Sequence, residues 1–188
     1  LLAGGEENAA LEDLETSLND PGESKLKREA GATALNIILK KLDSSRTSEK
    51  NNAAVEDRFI KIAESFEEKF PKDPLSSEVR YKRARLAARR SGPEGLSNNA
   101  KKALREQIEL YPASPESLLA AQDLVDDLRK QKKDEDASEL AGELLANTKL
   151  MASDKKGDLR RYLNSLIARE SFSKVKELEK NENYEQSA

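Results

Sequence analysis

The apolar residues of this chain recur every three or four positions and almost never alternate. Leu35, Ile38, Leu39 and Leu42 stand at i, i+3, i+4 and i+7, which is one face of a 3.6-residue helix. The spacing predicts a first strong helix from about Glu23 to Leu42, broken by the polar run Ser44 to Asn52. Val55, Phe59, Ile62, Ala63, Phe66 and Phe70 mark a second, which Pro71 stops because the residue before a proline is pushed out of the helical region. Three more helices follow the same logic: Pro74 to about Arg90, about Asn98 to Tyr111, and Pro115 to about Lys132. Another runs from about Asp134 to Lys149. The last begins near Asp154, and its stripe of Leu159, Tyr162, Leu163, Leu166 and Ile167 shifts phase toward Phe172, Val175 and Leu178. One long helix is expected there rather than two with a bend near Ser171. Residues 1–23 are acidic, without Lys or Arg, and read as a weak helix on Leu11, Leu14 and Leu18 in a loosely held arm. The organised region is 24–188.

Two of the breaks are the same break. Phe70-Pro71-Lys72-Asp73-Pro74 recurs as Tyr111-Pro112-Ala113-Ser114-Pro115, an offset of 41 residues (111 − 70). In each copy an aromatic residue closes a helix and the first Pro forbids its continuation. Asp73 or Ser114 is placed to cap the next helix, and Pro74 or Pro115 takes its first position, where no amide hydrogen is missed. A period near 40 residues built of two helices points to an α-solenoid, in which each pair buries its face by stacking on the next. The expected fold is all-α: a right-handed stack of antiparallel helix pairs, about seven to eight helices in all. A plain helical bundle is the alternative.

Composition fits that reading. Charged residues make up 37% and aromatic residues 4%, too polar for a thick core but enough for helices that each bury one narrow stripe. A net charge of −3 sets up no global field toward nucleic acid or membrane. No apolar run approaches the roughly 20 residues a bilayer requires. Leu1-Leu2-Ala3-Gly4 loosely resembles the end of a bacterial lipoprotein signal, but Gly5 stands where the lipidated cysteine would have to be.

The two junctions resemble the aromatic-Pro-x-Ser/Asp-Pro junction of bacterial tetratricopeptide-like proteins of the cell envelope, which include outer-membrane assembly lipoproteins and periplasmic cell-division coordinators. Glu78 and Tyr81 sit where that pattern often carries Glu and Tyr, and Asn183 to Ala188 is similar to the inter-helix turn of such a repeat. The resemblance spans about residues 53–188. It implies a protein-binding scaffold, a piece of a longer array, in the periplasm or cell envelope, with the cytoplasm as the alternative.

Chemistry is scarce. There is no His and no Cys, which removes the commonest general base, the usual nucleophile systems, disulfides and thiolate or imidazole metal ligands. Asp123 and Asp127, four residues apart, read as an exposed acidic pair rather than a cation site. No catalytic residue, cofactor or metal is therefore expected. The one local anomaly is basic: Arg80, Lys82, Arg83, Arg85, Arg89, Arg90, Lys101, Lys102 and Arg105 are opposed within their stretch only by Glu94. It is either a solvated face balanced by Glu64, Glu67 and Glu68, a contact for an acidic protein surface, or a site for nucleic acid or anionic lipid. Only Tyr81 offers an aromatic ring nearby, which argues against single-strand recognition. Tyr81, Arg83, Arg89, Arg90 and Lys102 are the partner-binding candidates. A nucleic-acid-binding repeat and a structural spacer that self-assembles are the rival readings.

Overall fold

The computed structural model describes residues 2–22, 24–44, 52–90 and 95–185, with the side chains of 2–5, 7, 44, 52 and 181–185 left outside that description. The described residues are all-helical, with neighbouring helices packed against each other as a helical-repeat fold requires. In chain order the helices are α1 (Leu2–Asn19), α2 (Ser24–Ser44), α3 (Asn52–Lys69), α4 (Pro74–Arg90), α5 (Asn98–Leu110), α6 (Pro115–Lys130), α7 (Asp134–Ala146), α8 (Thr148–Ser153) and α9 (Asp158–Glu185). Short α8 and the unexpectedly well-packed α1 raise the number above the seven or eight expected. The chain divides into two compact units, Leu1–Leu86 and Ala87–Ala188. The expected breaks at 45–51 and 91–94, and Glu94 with them, lie outside the described residues.

In the first unit, α2 and α3 bury the predicted stripes, with Leu35, Ile38, Phe59, Ile62 and Phe66 nearly inaccessible. The arm differs from its expectation. Leu11 and Leu18 of α1 are buried in the same core, because two leucines seven apart lie on one helix face and find α2 and α3 there. Gly31 allows the close approach: a Cβ at this position would stand 2.7 Å from the Phe66 ring and 2.9 Å from Leu18. Arg58 bonded to Glu15, and Lys69 to Asn19 at 2.7 Å, tie α3 to α1 at the rim.

In the second unit, α5, α6 and α7 follow one another as neighbours, and α7 packs against α9. Connections of three or four residues make such neighbours antiparallel. Small buried residues, Ala100, Ala120, Ala121, Ala137 and Ala141, hold the helices close, while Leu104, Leu124, Leu140 and Leu163 fill the seams. Side-chain caps start α5 at Ser97, α6 at Ser114 and α8 at Asn147. The chain turns into α7 through Lys132 in the left-handed region, at φ 59°. The last helix is single, as expected, and it continues through Asn183 and Tyr184, where the resemblance implied a turn.

The 41-residue offset persists in burial. Positions 59, 63, 66, 76, 79 and 84 are buried, and so are 100, 104, 107, 117, 120 and 125. Two equivalent pairs exchange polarity. Buried Glu67 stands where the next repeat has Ile108, and Leu86 stands where the next has buried Asp127.

Candidate functional site

The basic stretch begins on α4, and in the first unit it is held by acids of α3. Arg80 Nε lies 3.0 Å from Glu67 Oε2, and Arg83 reaches Glu64 at 3.3 Å and Glu67 at 3.5 Å. Glu67 is 7% exposed, so the seam carries a nearly buried carboxylate under two guanidinium groups. Burial, the largest influence, pushes the Glu67 carboxyl above the ordinary glutamate range, while Arg83 and Arg80 pull the other way. Lys82 bonds Glu78 at 2.6 Å one turn back on α4. Tyr81 is half-buried. Of the residues singled out in this unit, Arg83 is thus committed to an ion cluster with Glu64 and Glu67.

The candidates of the second unit are more open. Arg89 and Arg90 are exposed in the last turn of α4, where cations also favour the negative end of the helix dipole. Lys102 is 77% exposed and 3.9 Å from Glu106 on its own helix. Its neighbour Lys101 turns inward to Asp127 at 3.0 Å.

Asp127 corrects the reading of an exposed acidic pair. It is 4% exposed and accepts from the Leu96 amide at 2.6 Å and the Gln131 side chain at 2.8 Å, besides the Lys101 ammonium. With those donors satisfied, it anchors the segment entering α5 rather than offering oxygens to a cation. Gly95, at φ +119°, passes so close that a Cβ would meet Asp127 Oδ1 at 2.7 Å. Periodicity could not reveal this, since the amide that fixes Asp127 is 31 residues away.

A second polar cluster joins α6 to α9. Tyr162 donates its hydroxyl to Asp126 and accepts from Arg129 at 3.3 Å, while the Arg129 guanidinium carbon lies 6.0 Å from the ring centroid. Burial, then the Asp126 bond, raises the Tyr162 hydroxyl above the ordinary tyrosine range. Beside it lies a cavity of about 120 Å³ whose charged lining is Arg129 and Arg169 against Asp134 and Glu170. Two cations against two anions give it no bias toward a charged ligand. Among the described residues no group of three acids could hold a metal ion, and no helix is long and apolar enough to cross a membrane.

The junctions themselves hold the feature that sequence reasoning missed. Each has a serine two positions after its second proline, Ser76 and Ser117, both fully buried. Ser76 donates to the Phe70 carbonyl at 2.7 Å and Ser117 to the Tyr111 carbonyl at 2.8 Å. The backbone agrees too: Asp73 and Ser114 donate to the same two carbonyls at 3.0 and 2.9 Å. The signal was present in the sequence as a seven-residue match, aromatic-Pro-x-(Asp/Ser)-Pro-x-Ser.

Comparison with known proteins gives no match to a family model, a curated protein or a solved structure.

Proposed function

We propose that this chain is a non-enzymatic protein-binding scaffold of the tetratricopeptide-like type. In this reading the exposed cations Arg89, Arg90 and Lys102 meet an acidic surface on a protein partner. The observation that carries it is the recurrence, 41 residues apart, of the same serine and backbone bonds to the carbonyl of the aromatic residue that closes each junction's first helix. A chain that repeats a hairpin connection in this detail is built to extend a stack, and stacked hairpins offer a large pre-ordered surface to a partner. Arg83, already shared between Glu64 and Glu67, is the weaker contact candidate, and half-buried Tyr81 can offer only part of its ring. The resemblance of the junctions supports a periplasmic or envelope setting.

The test is in-cell crosslinking in the native source, comparing the natural chain with the triple variant R89E/R90E/K102E. Loss of the same crosslinked protein, with helix content unchanged by circular dichroism, is the expected result. A partner retained at full yield removes these residues from the interface. Oligonucleotide binding that weakens steeply with salt would replace a protein partner by nucleic acid.

A further inference from the structure

Two helices carry ridges of opposite charge at one spacing. On α4, half-exposed Lys82 and exposed Arg85 and Arg89 stand at i, i+3 and i+7, within about 60° of arc. On α7, exposed Asp136, Glu139 and Glu143 repeat that spacing and that arc of about 60°. Glu78 bonds Lys82 at 2.6 Å, but both side chains are well exposed, so water screens the pair. Helix α7 has no cation of its own, and Asp136, Glu139 and Glu143 make no ion pair among the described residues. Like charges three and four residues apart weaken a helix. The helix dipole favours Asp136 in the first turn of α7 and Arg89 in the last turn of α4. It accounts for neither Glu139 and Glu143 nor Lys82 and Arg85.

Gly142 lies beside the acidic ridge, exposed in the interior of α7, where an added Cβ would meet nothing within 4 Å. Its φ is not positive. Among the described residues, then, neither packing nor backbone conformation calls for a glycine that weakens its helix. Ala146, one turn on, is exposed as well. Together they leave a smooth strip on which another ring can lie close.

The ridges fit when the two helices run antiparallel. With Lys82 level with Glu143, Arg89 comes level with Asp136, and Arg85 lies within about 1.5 Å of the height of Glu139. Sides agree as well as heights, because turning a helix end over end keeps each residue on its own flank. Arg85 and Glu139 fall to one side of the contact line; Lys82, Arg89, Asp136 and Glu143 fall to the other. Tyr81 stands further round α4 on the Arg85 flank, and Gly142 and Ala146 further round α7 on the Glu139 flank. In this register Tyr81 comes midway in height between Gly142 and Ala146, over the smooth strip. A parallel pairing would put Tyr81 and Gly142 on opposite flanks.

We propose that the α4 ridge of one copy docks antiparallel on the α7 face of a second copy of this chain. Lys82, Arg85 and Arg89 meet Glu143, Glu139 and Asp136. The inference rests on the function proposed above and names the acidic surface that the α4 cations meet. Such a contact is heterologous: each copy in a pair keeps one face unused, so copies add head to tail. One helix face a side buries less than the roughly 1,200 Å² of a stable interface, so association is transient and depends on concentration.

Sedimentation of the purified full chain from about 10 μM to about 1 mM tests this. The average mass should climb with concentration, and the climb should fade toward about 1 M salt. K82E/R85E/R89E and D136K/E139K/E143K should each lower the association constant at least about tenfold. Mixed in equal amounts, the two variants should associate again, because reversed faces then meet reversed faces and natural faces meet natural ones. Gly142→Leu, for which the single chain has room and which favours the helix, should also weaken association at least about tenfold without lowering the unfolding temperature of dilute protein. Circular dichroism checks that each variant keeps its helix content. Association that survives either triple variant or G142L overturns the proposal, as does a mixture that stays monomeric. A pure chain that is monomeric at every concentration overturns the self-contact alone, and leaves a foreign acidic partner to the crosslinking test above.

Discussion

Ser76 and Ser117 make one bond twice: each hydroxyl, buried at a helix start, donates to the carbonyl of the aromatic residue six positions earlier, at 2.7 and 2.8 Å. That carbonyl belongs to the end of the preceding helix, which has lost its intrahelical partner to the proline that follows. The serine returns a donor to it and so locks one helix end to the next helix start.

Replacing Ser117 with Ala should therefore destabilise the second unit by about 1 kcal/mol, the usual net effect of losing a buried hydrogen bond, since the Tyr111 carbonyl keeps the Ser114 amide as a donor. Ser117 also donates to the Gln107 carbonyl at 3.0 Å, a bond with no counterpart at Ser76, so S76A should weaken the first unit by less. Urea titrations followed by probes in each unit can read both. Equal effects, or none, would show that the shared bond is incidental to the junction.

Asp127 yields a second expectation. Asp127→Asn keeps an acceptor for the Leu96 amide but gives up the charge facing Lys101, whereas Asp127→Ala abandons both. Alanine should cost about 2–3 kcal/mol, since a buried amide and a partly buried ammonium lose their acceptor together. Asparagine should cost less, and its deficit should shrink when Lys101 is also replaced. Thermal unfolding of the single and double variants measures the coupling.

What could be read in the sequence was what local rules govern. The prolines, the capping residues and the 3.6-residue stripes placed α3 to α7 and the single long α9 to within a few residues. Non-local partners stayed hidden. Asp127 looks like a solvated acid beside Asp123, because nothing nearby in sequence reveals the Leu96 amide that buries it. α1 looks weak because its leucines are few, and only α2 and α3 supply the surface that covers them. Helix α8 was merged with α7 since Thr148 continues the apolar stripe, whereas Asn147 caps a new helix by accepting from Leu150 at 3.0 Å. The candidate site was half legible: Glu64 and Glu67 were named as balancing acids, but not that Glu67 is buried under Arg80 and Arg83.

Lys132 and Gly95 offer a matched pair of backbone tests. Lys132 sits at φ 59° after α6, and its amide and that of Lys133 donate to Arg129 and Leu128 carbonyls at 2.9 and 3.0 Å. That is the helix-terminating arrangement in which glycine is preferred. Lys132→Gly should stabilise the second unit by about 0.5–1 kcal/mol by relieving the left-handed strain. Gly95→Ala should do the reverse and by more than about 1 kcal/mol, since it combines φ +119° with a 2.7 Å approach to Asp127. Denaturant midpoints at constant m-value decide both, and a K132G variant no more stable than the natural chain removes the strain argument.

The pH response of the first unit should carry two opposed contributions. At Asp73 burial alone would raise the carboxyl, but the Arg28 hydrogen bond at 2.6 Å, the Leu75 amide and the Arg28 charge outweigh it and hold the group below its ordinary value of 3.8. The folded state then binds that proton less tightly than the unfolded state, so the stability Asp73 contributes is present above 3.8 and disappears as pH falls through the lowered value. Glu67 is the mirror case. Burial raises it above 4.5, so its contribution is fully present below 4.5 and is lost as pH rises through the raised value. Glu67→Gln should abolish the second decline, leaving the variant's stability flatter than the natural chain's above 4.5. Asp73→Asn, which keeps a capping oxygen for Leu75, should flatten only the acid limb. Urea midpoints of the first unit measured across pH distinguish the two. Parallel curves for the natural chain and E67Q above that value would mean that Arg80 and Arg83 fully offset the burial of Glu67.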